Sequence, residues 1–288
     1  MTAPVAPADE EWLPAVERWA GGPAVVRGRR ELTGGYVSDG VRRVDLDAGG
    51  RSLAVVVKRT GPGEVAAMRA LTEVPGLARP LLLAAGSGWI VTPFHAGRPP
   101  AAGEPVADDV FADLARVHAH WLGRRPPGVP VVDAPWWAGL CDRVLVAVSG
   151  GLARTGDARF AATADLLRAW RGDPRVTRAL ALLPATLVHG DPHRGNLLAG
   201  PDGTAIIDWG GARVAPAGLD LAVLAAQGAP LPAAYRAIRG AEPDALETAW
   251  ATVQVHVQYM GFAADHLGPA RVAEMAATAA TALDLLGP

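Results

Sequence analysis

An α+β architecture of two lobes follows from three features of this 288-residue sequence. Up to Phe94, short apolar strands alternate with glycine turns. Gly97-Arg98-Pro99-Pro100 then interrupts the chain. From Asp108 onward, apolar residues recur at helical spacing. The expected molecule is a small antiparallel sheet carrying one helix (residues 1–94), followed by a larger, mainly helical lobe (residues 95–288).

Within the first lobe, Ala24–Leu32 and Tyr36–Asp47 read as strands around Thr33-Gly34-Gly35. Val41–Asp47 and Ser52–Lys58 flank Ala48-Gly49-Gly50, a hairpin signal. Pro62 suits a first helical position, and Val65, Met68, Ala70 and Leu71 supply a short apolar stripe behind it. Pro80–Ala84 and Trp89–Phe94 flank Gly86-Ser87-Gly88 as a further hairpin. In the second lobe, Asp108 can cap a helix carrying Phe111, Leu114, Ala115, His118, Trp121 and Leu122. Further helices are expected over Trp136–Val148, Ala158–Arg171 and Arg175–Leu183. A strand-and-loop insert spans Thr186–Trp209, and helices resume from Leu219 to the end, with Trp250, Val253, Val257 and Met260 as a buried stripe.

Charged residues make up 19% of the chain and the formal net charge is −2. No basic footprint for nucleic acid is present, and no apolar run approaches the roughly 20 residues of a membrane helix. Asp9, Glu10 and Glu11 stand where a secretory signal would need an apolar core. Cys141 is the only cysteine, which fits a reducing cytoplasm and excludes a disulfide framework. The chain holds 26 arginines but a single lysine, Lys58. With Ala, Gly, Pro and Arg so abundant, a lone lysine marks a position where arginine does not serve.

The chemistry concentrates in Leu187-Val188-His189-Gly190-Asp191-Pro192-His193-Arg194-Gly195-Asn196-Leu197-Leu198, followed by Ala205-Ile206-Ile207-Asp208-Trp209. Gly and Pro exclude a continuing helix there, so the segment is a loop carrying Asp191 and Asn196, and a second short strand delivers Asp208. Two carboxylates and an amide form an oxygen-rich cluster of the kind that hard Mg²⁺ ions share with phosphates and water. Phosphoryl transfer also needs a group that orients the attacking hydroxyl and takes its proton. His189 and His193 are four apart, but Gly190 and Pro192 spoil the helix of a zinc-protease motif, and no Glu follows His189.

These motifs resemble the aminoglycoside phosphotransferase/choline kinase-like family, whose fold is protein-kinase-like. The resemblance implies a bilobal kinase-like fold, ATP and Mg²⁺ as cofactors, Asp191 as the catalytic aspartate, and Asn196 and Asp208 as metal ligands. It also implies a bracing acid at Asp220, in Gly-Leu-Asp-Leu-Ala, and a supporting role for His189. Lys58, at the end of Ala54-Val55-Val56-Val57, matches the lysine that holds the nucleotide phosphates. Glu64 matches the helix glutamate that pairs with it, with Glu73 as its rival. Gly34, Gly35 and Ser38 stand where a nucleotide-covering loop belongs, and Pro93 and His95 where a hinge contacts adenine. His118 and Trp136-Trp137 read first as packing residues, with a substrate-facing role open for the tryptophan pair.

The expected acceptor is a hydroxyl of a small molecule such as a metabolite, sugar or antibiotic. The alternatives are Ser/Thr of a precursor peptide in natural-product biosynthesis and a catalytically dead nucleotide-binding protein. Towards the C-terminus only Glu247, Asp265, Glu274 and Asp284 could answer a polycation, which points away from aminoglycosides and toward a less cationic acceptor.

Overall fold

A computed structural model of the chain describes residues 7–32, 40–77 and 79–287. Five antiparallel strands form the first sheet: β1 (Ala24–Glu31), β2 (Val41–Ala48), β3 (Arg51–Arg59), β4 (Ala84–Gly86) and β5 (Trp89–Pro93), in the order β1-β2-β3-β5-β4. β2 and β3 close on the Ala48↔Arg51 pair around Gly49-Gly50, with φ of 55° and 75°. Both central residues must be left-handed in this tight hairpin, so two glycines are what the turn requires.

The period of two along β3 decides the position of the lysine. Val55 and Val57 pack under helix α1 (Asp9–Ala20) with Trp12, Val16, Val44 and Val91. Lys58 lies on the opposite face, in register with Ile90, which packs instead against Val65 and Met68 of α2 (Pro62–Leu71). Pro62 starts α2, where its missing N–H costs no helical hydrogen bond.

Two differences from the sequence reading have local causes. Helix α1 was not expected. Its Trp12, Val16 and Ala20 recur every four residues as a buried stripe, but Pro14 and the Asp9-Glu10-Glu11 run obscure it. The expected strand from Pro80 to Ala84 shrinks to Ala84–Gly86, because Pro80 has no N–H to give to a ladder and only Leu83 N, bonding Val91 O, joins ahead of it. The part of the expected strand from Tyr36 to Asp39 lies outside the described residues.

The second lobe is built from α3 (Asp108–Trp121), α4 (Ala134–Thr155), α5 (Ala158–Trp170), α6 (Pro174–Leu182), α7 (Gly218–Ala225), α8 (Ala233–Arg239), α9 (Ala245–His266) and α10 (Pro269–Asp284). Helices α4, α5, α9 and α10 share one core around Trp137, Leu167, Trp250 and Met260. Between the sheet and this core lie two small two-stranded ladders. β6 (Ala185–Val188) pairs with β9 (Arg213–Pro216), and β7 (Leu197–Gly200) with β8 (Gly203–Ile206). The loops that leave these ladders carry the candidate site. No helix among the described residues is long and apolar enough to cross a membrane.

Candidate active site

The loop after β6 is fixed from below by one buried carboxylate. Asp220, in the first turn of α7, is fully buried and accepts three hydrogen bonds. They come from His189 N at 2.8 Å, Gly190 N at 2.7 Å and His118 Nε2 at 3.1 Å. Burial opposes its charge, but the donors from His118 and Gly190 and the nearby His189 ring outweigh it and hold the carboxyl below its ordinary range. Tyr235 on α8 completes the chain, 3.0 Å from His118 Nδ1. His118 therefore does more than fill space: it orients the carboxylate that orients the loop.

Gly190 has φ 82°, and a Cβ there would overlap the Gly211 carbonyl oxygen. Only glycine lets the loop turn this close to its neighbour. His189 then ties two loops together. Its Nε2–H donates to Ile207 O at 2.9 Å, leaving Nδ1 to accept from Asp191 N at 3.2 Å. Asn196 closes the far end, its side-chain amide donating to Asp191 O at 2.9 Å. This bond uses the amide nitrogen and leaves the Asn196 carbonyl oxygen for another partner.

Asp208 follows Ile207 with φ 61° and ψ 63°, the one non-glycine residue with positive φ among those described. Such a conformation costs of order 1–3 kcal/mol and is held by what surrounds it. Its Oδ1 accepts from Lys58 Nζ at 2.6 Å, and the same ammonium donates to Glu64 Oε1 at 2.7 Å. Glu64 is 4% exposed and also accepts from the Thr60 hydroxyl. Burial alone would lower the Lys58 pKa, but the charges of Glu64 and Asp208 outweigh it and raise it, so the ammonium stays charged. Conversely, burial would raise the Asp208 carboxyl, and Lys58 holds it below its ordinary range.

The turn Trp209–Gly211 joins the two clusters. Added at Gly210, a Cβ would lie 3.3 Å from Asp208 Oδ1; added at Gly211, it would lie 3.5 Å from the Asp191 Cβ. One dipeptide thus separates the lysine–carboxylate group from the loop aspartate.

The remaining expected residues fall elsewhere. Glu73 is exposed beyond the end of α2, away from Lys58. Pro93 ends β5 opposite Val55. Three strand steps separate it from the Lys58↔Ile90 pair, about 10 Å. His95 follows half-buried, its Nε2 without a hydrogen-bond partner, and burial lowers its pKa. Gly34, Gly35 and Ser38 lie outside the described residues.

Three residues that sequence reasoning did not single out meet the loop from the C-terminal half. The Tyr259 hydroxyl donates to Asp191 Oδ1. Burial, then the adjacent Asp191, pushes the phenol pKa upward, so this hydroxyl remains a donor. Gln258 Nε2 donates to Gly190 O at 2.9 Å. Arg213 Nη2 donates to the same carbonyl at 3.2 Å and to Gln258 Oε1. The one sequence signal was Gln254 and Gln258, spaced four apart among Val253, Val255, Val257 and Met260 of one helix. The arrangement holds one half-exposed carboxylate rigidly, with an ammonium and two further oxygen donors beside it.

Among the described residues no three His, Cys, Asp or Glu side chains converge to hold a metal ion on their own. Asn196 and Asp208 nonetheless fit a Mg²⁺ ion, since both offer oxygens and such ions take only one or two protein ligands alongside phosphate and water.

Residues 28–256 match the model of a family described as the phosphotransferase enzyme family. Among solved structures, a protein of Thermobifida fusca YX-ER1, provisionally assigned as a fructosamine-3-kinase, is similar at 18% identity. The match covers 94% of this chain and 98% of that one, with a TM-score of 0.61. A choline kinase from Cryptosporidium parvum Iowa II gives 11% identity, 91% and 88% coverage, and a TM-score of 0.58. A thermostable mutant of an aminoglycoside phosphotransferase, in ternary complex with ADP and hygromycin B, gives 14% identity, 96% and 99% coverage, and a TM-score of 0.54. No curated protein matches the sequence. At these identities the solved structures establish the fold, which is protein-kinase-like, and the family match establishes the kinship: the chain belongs to the phosphotransferase enzyme family.

Proposed function

We propose that the chain transfers the γ-phosphoryl group of ATP, with Mg²⁺, to a hydroxyl of a small molecule, across a cleft between residues 1–94 and 95–288. The observation that carries this reading is the Lys58 ammonium set between Glu64 and Asp208, one dipeptide from Asp191. A phosphate-holding lysine must reach from the sheet while a partner fixes its direction, and Glu64 supplies that partner. Asn196 and Asp208 would hold the metal, which when bound neutralises charge on the phosphate oxygens.

In this mechanism the acceptor hydroxyl lies against Asp191, which orients it and takes its proton as the new oxygen–phosphorus bond forms. The bond from γ-phosphorus to the bridging oxygen breaks, and that electron pair leaves with ADP. Tyr259 holds one Asp191 oxygen, and Oδ2, 3.9 Å from His193 Nε2, makes no hydrogen bond of its own among the described residues and meets the hydroxyl. Lys58 steadies the phosphates that stay behind. Asp220 keeps the Gly190 turn, and hence Asp191, in place throughout.

The acids expected to answer a polycation support a less cationic acceptor. Glu247 caps Gly218 N, while Asp265, Glu274 and Asp284 pair with Arg154, Arg271 and Arg175. ADP release from MgATP across neutral, anionic and cationic hydroxyl compounds tests the reading. Asp191→Asn is expected to lower turnover by about 10²–10⁴-fold with MgATP binding retained. Undiminished turnover in that variant would refute it.

A further inference from the structure

Helices α4 and α9 pack against each other, and α9 reaches Asp191 through Tyr259. Their charged groups do not match a cationic acceptor. Helices α4 and α9 carry three acidic residues, Asp142, Glu247 and Asp265, and each is already engaged, with Arg171, Gly218 N and Arg154 respectively. Asp133, which caps α4, accepts from Trp136 N. Every carboxylate on these two helices, and the one that caps α4, therefore already has a partner.

Two guanidinium groups, by contrast, meet on one ring. Arg213 lies 4.9 Å from the centroid of Trp136, and Arg143 lies 5.9 Å from it. Arg213 is 7% exposed and bonds only neutral acceptors, the Gly190 and Gly211 carbonyls and Gln258, so no ion pair neutralises it. Its Nε is buried with no hydrogen-bond partner. Burial pulls its pKa down to about 10, which still leaves it charged at neutral pH. Arg143 is exposed, and no carboxylate among the described residues pairs with it. Its side chain folds back along α4 toward the Trp136 end, with Nη1 3.4 Å from a Cβ built at Gly139. Asp220 and Asp191 act on Arg213 electrostatically without pairing with it, and Arg143 is the guanidinium of the pair left free to bind.

Resting on the phosphotransferase reading above, we propose that the acceptor is a hydroxylated acid, whose carboxylate or phosphate is received by Arg143 beside Trp136 while its hydroxyl meets Asp191. A guanidinium fork binds such planar oxyanions bidentately, and the indole offers a flat apolar wall for the carbon skeleton. A polycation beside the same ring would face two like charges.

The test uses matched acceptors that share a skeleton and differ only in charge: gluconate, glucose and glucosamine, then glycerate, glycerol and 3-amino-1,2-propanediol. ADP release from MgATP by the full chain is the readout. Turnover is expected with the acids, at least tenfold above their neutral and amine counterparts in kcat/KM, and Arg143→Gln raises KM for the acid about tenfold, the worth of one charge-assisted bidentate contact. Arg143→Lys, which keeps the charge without the fork, falls between. Thermal unfolding of both variants checks that the fold is intact. Preference for the amines or neutral compounds, or a KM for the acid that Arg143→Gln leaves unchanged, overturns the proposal. Absence of turnover with all six also overturns it, and an ATP hydrolysis that Asp191→Asn abolishes would leave the phosphotransferase reading standing. No Asp191-dependent reaction of ATP with any acceptor would instead overturn that underlying reading.

Discussion

Replacing Asp220 by Asn is expected to cost both stability and turnover, although the side chain touches no substrate. Its Oδ1 accepts from Gly190 N, and its Oδ2 from His189 N and His118 Nε2. An amide in the same place turns one acceptor into a donor. In its better orientation the NH₂ faces Gly190 N and leaves that buried amide unsatisfied, a cost of about 1–3 kcal/mol. The two surviving bonds lose their charge assistance, about 1 kcal/mol each. The total of about 3–5 kcal/mol is a large part of a typical folding free energy, and at about 2 °C per kcal/mol for a chain of this length it lowers Tm by about 6–10 °C. The freed Gly190 turn also lets Asp191 wander, so kcat for phosphoryl transfer falls while the KM for MgATP changes little. Thermal unfolding followed by circular dichroism, together with initial rates of ADP release, gives both numbers. A Tm within 2 °C of wild type and an unaltered kcat would refute the reasoning. The pH dependence carries the same sign: Asp220 titrates below its ordinary value of 3.8 when folded, so its contribution is complete above that pH. It is lost as the pH falls through the lower folded value, and the Asn variant lacks that limb.

Other outcomes follow from the same geometry. Lys58→Arg keeps the charge but replaces a compact ammonium, set between Glu64 and Asp208, with a wider fork, and is expected to lower kcat by about 10²-fold or more; steady-state rates and nucleotide titration separate this from misfolding. Tyr259→Phe removes the donor to Asp191 Oδ1 without opening a cavity, and is expected to lower kcat by about tenfold with KM for MgATP and Tm nearly unchanged. An unaltered kcat in the Phe variant would mean that Tyr259 does not position the aspartate.

The parts of the site that the sequence displays are those confined to one segment. His189 to Asn196 and Asp208 lie within twenty residues, and their Gly and Pro content marks them as loop. Lys58 announces itself because it is the only lysine, and the alternation of β3 turns it toward the second lobe. Glu64, six residues on, is brought to Lys58 by a helix start that Pro62 marks. Arg213 has no such distinction, being one of 26 arginines. Its role depends on β9 pairing with β6, which sets it against the Gly190 carbonyl. Gln258 and Tyr259 reach the loop across 68 positions, a distance over which local periodicity carries no information. Helix α1 was hidden for a different reason: Pro14 and three consecutive acids mask an amphipathic pattern that packs on the outer face of the sheet. His118 shows the limit of reading burial from spacing, because its place on an apolar face is correct while its hydrogen bond to Asp220 is invisible until α3 and α7 are brought together.

The most direct test of phosphoryl transfer at Asp191 follows the γ-phosphorus itself. ³¹P spectra of full-length protein with MgATP and a hydroxyl acceptor are expected to show a phosphate monoester rising in step with ADP, one for one, and no ester with Asp191→Asn. An ester formed equally well by the Asn variant would contradict the account, as would ATP that stays intact with every hydroxyl compound supplied.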